Sequence, residues 1–427
     1  MQSSFQPGGR AELIAGTRTL AGSMLGVAFG VSSLPFYTSS LFIAALHAER
    51  GWSLTSLSLG PTVLIASMAV SAPFVGQIFD RYGERRFILP GLLVQAVGFL
   101  LLSRMSGLVG YCVAMAGMAL LGAGCSSPAF LRVVNRRFQA SKGAALALTI
   151  SGAALFSAVV PPLLEGIISA HGWRSGYIVL SIAVLSAAPV IMLLLGKQHA
   201  VSRRPAELIQ ASPDGFRYAR LFRSPAFAPL TLAIASISIA VPGLLIHFAP
   251  LVTRSGMSAR QAAWMMSLIG GTQILSRLAT GMVVDRLFAP RVAASIMVAA
   301  SAGIATMAWG GAGSTVIGAI AVGLAFGAEA DLVGYLAGRY YPPQHFGRVF
   351  GIFYAVFLGG MALSPSVYGL VVDHAGSYVP ALVGASIMLL AAASLFLTLP
   401  AFPAASSLAS GSGGEHQDLI LSTADPR

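Results

Sequence analysis

Long apolar runs broken by short polar loops fill most of this 427-residue chain. A membrane-crossing helix needs about 20 mostly apolar residues. Twelve runs meet that length: roughly 19–46, 54–78, 87–104, 107–131, 143–169, 175–196, 226–252, 260–284, 292–310, 313–337, 347–372 and 378–400. They predict an all-α membrane protein with twelve transmembrane helices. Between the sixth and seventh runs the chain turns polar and basic, with Arg203, Arg204, Arg217, Arg220 and Arg223. The expected organisation is a segment 1–18, a six-helix bundle 19–196, a basic linker 197–224, a second six-helix bundle 225–400 and a disordered Ser/Gly/Ala-rich tail 401–427. The first run is too long for a signal-peptide core and is expected to remain as an uncleaved span.

Composition narrows the function classes. Hydrophobic residues make up 56% and charged residues only 9%. A soluble domain carries about 25% charged residues, so a conventional soluble enzyme is excluded and the partner is a lipid bilayer. The net charge of +12 does not mark a nucleic-acid partner, because the charges punctuate apolar runs instead of forming a basic patch. With the amino end inside, the outer loops carry Arg50, Arg104, Arg174, Arg254 and Arg260, Arg277 lies within a run, and the other 20 of the 26 basic residues fall inside. That bias predicts a multi-pass protein of the cell inner membrane with both termini cytoplasmic.

No phosphate-cradling Gly-Lys-Ser/Thr loop, nucleophile elbow or zinc-binding helix occurs. The expected protein is therefore not an enzyme. It holds no metal or cofactor and draws its energy from a gradient. Cys112 and Cys125 lie thirteen residues apart in one run, roughly 20 Å along a helix, and cannot bridge.

The most informative stretch is Gly76-Gln-Ile-Phe-Asp80-Arg81-Tyr-Gly83-Glu-Arg85-Arg86, between the second and third runs. A partial copy, Gly281, Asp285 and Arg286, follows 205 residues later, with Phe288 where the second glycine would stand. Two copies half a chain apart predict two parallel repeats that move against each other, as alternating access requires. Asp80 can pair with a basic residue or cap a helix across the halves. The expectation is that these loops latch the outward-facing state.

The loop resembles the signature between spans two and three of the major facilitator superfamily. Gly51-Trp52-Ser53, Ser141-Lys142-Gly143 through Leu148, Gly172-Trp173-Arg174 and Arg277 resemble the monocarboxylate-transporter-like branch, in its bacterial members. The resemblance implies two pseudo-symmetric six-helix bundles, a small organic anion as substrate, a proton as coupling ion and a functional monomer. It assigns the substrate carboxylate to Arg277 and allows a functional histidine at His247.

Arg277 lies deep in a run, where an arginine costs roughly 2.5–3.5 kcal/mol or more. It is tolerated facing a wet cavity, where a guanidinium binds a carboxylate, or paired with an acid on a neighbouring span. Gln273 is one turn away on the same face. Glu329 and Asp331 are intramembrane acids two residues apart, so they cannot share one helix face. Either is a candidate proton carrier, with Glu329 favoured, and Glu329 can alternatively pair with Arg277. His247 can bind a carboxylate or relay a proton, or simply pack. Tyr335 and Tyr37 are candidate cavity hydroxyls. Glu165 is expected to be solvated or paired with Arg174. The competing function is efflux of drugs and other amphipathic compounds, which predicts an aromatic, acid-lined cavity and tolerance of losing Arg277. The 205-residue offset maps Arg277 onto Ala72, His247 onto Phe42 and Glu329 onto Gly124, so the halves share a gate and not their chemistry.

Overall fold

A computed structural model describes residues 9–196, 221–284, 286–310, 312–341 and 345–402. Residues 1–8, most of the expected linker (197–220), Asp285 and the tail from 403 lie outside the described residues. Among the described residues there is no strand.

The first half comprises α1 (Gly9–Ala15), α2 (Thr17–Phe29), α3 (Leu34–Arg50), α4 (Leu54–Tyr82), α5 (Arg85–Ser103), α6 (Leu108–Leu121), α7 (Ser127–Arg137) and α8 (Lys142–Leu195). The second comprises α9 (Phe227–Ile246), α10 (Phe248–Arg254), α11 (Ala259–Val284), α12 (Ala289–Trp309), α13 (Ala312–Tyr340), α14 (Phe346–Ala375) and α15 (Val379–Leu397). Among the described residues nine helical stretches are long and apolar enough to cross a membrane, with α2 and α3 taken together as Thr17–Arg50. The 54-residue α8 is two spans joined at Gly172, whose φ of 81° is open to glycine and strained for other residues. The α6–α7 pair forms one interrupted span. Arg277-bearing α11 completes twelve spans in two six-helix bundles.

Three spans expected as single helices are broken. The first divides into α2 and α3 around Gly30–Ser33, and the fourth divides around Ala123–Cys125. Each restarts with a serine followed two residues on by proline: Ser33 and Pro35, then Ser126 and Pro128. Proline suits a first helical turn, where no N–H partner is needed. The two breaks touch, since the Ser127 N–H donates to Ser32 Oγ at 3.2 Å. His247 divides the seventh span into α9 and α10.

The bundles meet along two seams, α4 with α14 and the first part of α8 with α11. The repeat maps α4 onto α11 and that part of α8 onto α14, so each seam is the pseudo-symmetric copy of the other. Backbones approach closely at both. A Cβ on Gly270 would strike the Ser157–Ala158 backbone, and one on Gly369 would strike the Leu54–Thr55 backbone. Close small-residue crossings of this kind let helices pack through backbone contact.

One element was not anticipated from the sequence, and one expectation needs correction. Residues 9–15 within the polar amino-terminal segment form a helix, because Glu12 binds the loop before α8 and holds the segment against the bundle. Glu165 is neither solvated nor paired with Arg174: it is buried, while Arg174 pairs with Glu49 at 3.5 Å and stacks over Trp173.

Candidate functional site

A cavity of about 350 Å³ lies between the halves and is lined from both. Its walls are mainly apolar and aromatic. Phe36 of α3 stacks on Phe326 of α13 across the halves, with ring centroids 6.0 Å apart. Tyr354 and Phe357 of α14 form another stacked pair at 5.9 Å. The helix breaks supply the polar first-half surface, with Ser32, Ser33, Ser126 and Ser127 on the lining. Helix breaks expose backbone polar groups, which is tolerated in a membrane protein where they line a cavity.

Arg277, Gln273, Glu329 and Tyr37 are all on the lining. The Arg277 side chain is 10% exposed, and its Nε lies 3.0 Å from Oδ2 of Asp331. Asp331 is not part of the lining. It meets Arg277 across the α11–α13 contact, and its side chain is 38% exposed. The pairing alternative weighed for Glu329 is therefore filled by Asp331. An anchored guanidinium keeps its direction toward the cavity and still presents unused donors, because five N–H groups fan from one plane.

Glu329 points differently, as two positions along a helix require. It is 2% exposed, and among the described residues neither carboxyl oxygen has a hydrogen-bond partner. On its other side it borders a small apolar cleft within the second half, beside Leu230, Ile234 and Phe353. An ionised carboxylate is costly in such surroundings unless a cation or donors meet it. Gln273 and Tyr37 join the halves at the cavity, with Gln273 Nε2 donating to the Tyr37 hydroxyl at 3.0 Å.

His247 and Tyr335 are not on the lining. His247 is fully buried in the closed face of the molecule. Its Nε2 is 3.0 Å from the Pro365 carbonyl and 2.8 Å from Ser58 Oγ, and its Nδ1 is 3.2 Å from the Tyr378 hydroxyl. The Pro365 carbonyl only accepts, so Nε2 carries the proton and Nδ1 accepts from Tyr378. Ser58 belongs to the first half and Pro365 to the second, so the cluster crosses the interface. Tyr335 donates to the Val284 carbonyl at 3.1 Å and finishes the end of α11, next to the repeat loop.

The same face carries further bridges. Asp373 of α14 accepts from the Leu54 and Thr55 backbone N–H groups and from the Thr55 hydroxyl. Thr62 meets Ser366 at 2.8 Å, and the Ala249 N–H donates to Ser40 Oγ at 2.8 Å. Sequence reasoning missed Asp373. Its faint signal was the Ser53-x-x-Ser56 start of α4, whose free N–H groups favour an acid.

The opposite end of the cavity reaches the basic loops, where Gly76, Phe79 and Arg132 line it. Asp80 pairs with Arg132 at 2.5 Å, and Glu84 pairs with Arg136 at 3.2 Å. All four residues belong to the first half, so these pairs do not join the halves here. Arg81 packs over Tyr82, and Gly83 takes a positive φ of 80° to turn the chain into α5. Arg85 is half-buried and Arg86 exposed, as are Gly281 and Arg286 of the second copy. Arg132 and the aromatic walls were not singled out from sequence, because a lone arginine at a span end reads as an orientation charge and scattered aromatics read as packing.

The offset comparison takes physical form. Ala72, counterpart of Arg277, also lines the cavity. Phe42, counterpart of His247, stacks on Tyr177. At Gly124, counterpart of Glu329, a side chain would strike the Phe87 backbone.

Known proteins resemble the chain at two levels. It is 23% identical over 361 residues to the MFS transporter asaE of Aspergillus flavus, covering 82% of this chain and 79% of that one. It is 25% identical over 363 residues to the fujikurins efflux protein of Gibberella fujikuroi, covering 82% and 74%. It is 22% identical over 400 residues to monocarboxylate transporter 13 of Rattus norvegicus, covering 90% and 88%. Among solved structures, a mutant form of the nucleoside transporter NupG superposes with a TM-score of 0.72 at 13% identity, covering 90% of this chain and 98% of that one. That likeness is one of fold. A family model described as Major Facilitator Superfamily matches residues 25–365, most of the chain. With twelve spans in two bundles around a central cavity, the chain belongs to the Major Facilitator Superfamily.

Proposed function

We propose that this protein is an alternating-access secondary transporter for an amphipathic organic anion, with the carboxylate held at Arg277 and a coupled proton carried by Glu329. The observation that carries the reading is Arg277 itself, the deep cation on the wall of an otherwise largely apolar cavity. Asp331 fixes it from behind, and the cavity side remains for a ligand. A guanidinium in a low-dielectric wall binds a carboxylate strongly, since charge-assisted hydrogen bonds are about twice as strong as neutral ones. Drug-sized ligands occupy pockets of about 300–1,000 Å³, and the cavity falls in that range. A lactate-sized anion would leave most of it unfilled, so the favoured substrate is a monocarboxylate with an aromatic or branched body.

The proposed orientation puts both termini on the cytoplasmic side of the cell inner membrane. The mouth beside Arg132 then faces the cytoplasm, and the Asp373 and His247 bridges close the outer face. Residues 197–224 link two rocking bundles, and one chain contains the whole path. The loops at Asp80 and Asp285 would engage across the halves in the other state.

A second reading is efflux of amphipathic compounds that need not be acids. The Phe36–Phe326 stack and the presence of Glu329 favour it, as does the partial neutralisation of Arg277 by Asp331. A thermal-shift series on purified protein separates the two. Stabilisation that grows from acetate to benzoate to 2-naphthoate, and is absent for the matched amides, supports anion transport, because binding raises stability with ligand over dissociation constant. Equal stabilisation by acids and amides supports the second reading.

A further inference from the structure

We propose that Glu329 is a second recognition point in the cavity, which takes an ammonium or other N–H donor carried by the ligand, so that the substrate class is an aromatic acid bearing a donor group. The inference rests on the anion site at Arg277 for its carboxylate half and on separate observations for the rest. Glu329 is on the lining, is 2% exposed, and has both oxygens without a partner among the described residues. The nearby arginine is already met by Asp331 at 3.0 Å and does not serve Glu329. Gln273 of the second half and Tyr37 of the first, two neutral polar groups on the lining, are engaged with each other. A buried pair of acceptor oxygens on the cavity lining that no protein donor meets among the described residues is suited to a donor carried by the ligand.

Charge balance points the same way. Arg277 and Asp331 cancel, a bound carboxylate adds one negative charge, and an ionised Glu329 would add another. One positive charge at Glu329 relieves this. A proton supplies it for a donor-free acid, and the ligand's own ammonium supplies it for an amino acid-like aromatic. The two are alternative occupants of one carboxylate, so an amine-bearing acid crosses without the proton that a simple acid needs. The stacked Phe36–Phe326 pair and the Tyr354 and Phe357 rings form the wall for the aromatic body.

Three matched probes test this on the purified full-length chain by calorimetric titration: 4-methylbenzoate, 4-(aminomethyl)benzoate and 4-methylbenzylamine. Wild type is expected to bind the aminomethyl acid about tenfold or more tightly than the methyl acid, a difference of about 1.4 kcal/mol. In Glu329→Gln that preference falls to near unity while the methyl acid still binds. Arg277→Gln weakens both acids and spares 4-methylbenzylamine. A preference that survives Glu329→Gln, or equal binding of the two acids by wild type, overturns the proposal and leaves the anion site standing. If neither acid binds while the benzylamine binds through Glu329, the anion site falls and this subsite stands. Should Glu329→Gln fail to fold, the three-probe ranking on wild type decides the matter alone.

Discussion

Asp373, near the end of α14, accepts a hydrogen bond from the backbone N–H of Thr55 at 2.7 Å and another from the Thr55 hydroxyl at 2.6 Å. Thr55 opens α4 in the other half, so a carboxylate of one bundle caps a helix of its partner. Hydrogen bonds to a charged group contribute roughly 1.5–3 kcal/mol, and solvent reduces this at an exposed site. Asp373→Ala is expected to shift the two-state equilibrium about tenfold toward a conformation open at this face. Spin labels placed on either side of the α4–α14 seam would show a longer-distance population growing in the variant. An unchanged distance distribution would remove Asp373 from the gate.

His247 provides a second test of the closed face. Removing it takes away the acceptor of the buried Tyr378 hydroxyl and the contacts to Ser58 and Pro365 across the interface, at a cost of about 1–3 kcal/mol for a buried group left unsatisfied. His247→Ala should therefore lower the melting temperature. The ligand-induced shift should stay as large as in wild type, because His247 does not line the cavity. A variant with wild-type stability and no ligand response would return the residue to the substrate site.

Glu12 carries a pH-dependent contact outside the spans. Hydrogen bonds from the Gln139 backbone, then the Ser141 hydroxyl and the Ser141 backbone, hold its carboxyl below the usual value of 4.5. A group whose pKa is lowered by docking stabilises the docked form above its free pKa and loses that contribution as pH falls through the docked pKa. The α1 helix should thus stay protected near neutrality and loosen in acid, below the ordinary carboxylate range. Hydrogen exchange over residues 11–16 at stepped pH would follow this. Glu12→Gln should be loose at every pH, and acid-insensitive protection in wild type would contradict the account.

The twelve spans were legible because apolar run length is a local property, and the lipid solvent enforces it along each helix separately. The repeat was legible for the same reason, as a fixed offset between Gly76 and Gly281. What escaped was convergence. Asp331 as the partner of Arg277 depends on how α11 meets α13, and Asp373 as a cap depends on a contact 318 residues apart in sequence. The breaks at Gly30–Ser33 and Ala123–Cys125 hid inside apolar runs, since glycine and serine barely change hydropathy. Deep placement of Arg277 and Glu329 could be reasoned from their cost in lipid. That the cavity keeps one guanidinium anchored and one carboxylate unpartnered could not.

The central claim is that Arg277 holds the transported anion. Uptake of radiolabelled benzoate into proteoliposomes, with and without an imposed proton gradient, tests it most directly. Wild type is expected to accumulate the label in response to the gradient, and Arg277→Gln to lose at least about tenfold in rate, the value of one charge-assisted contact. Gradient-driven uptake by Arg277→Gln equal to wild type would contradict the account.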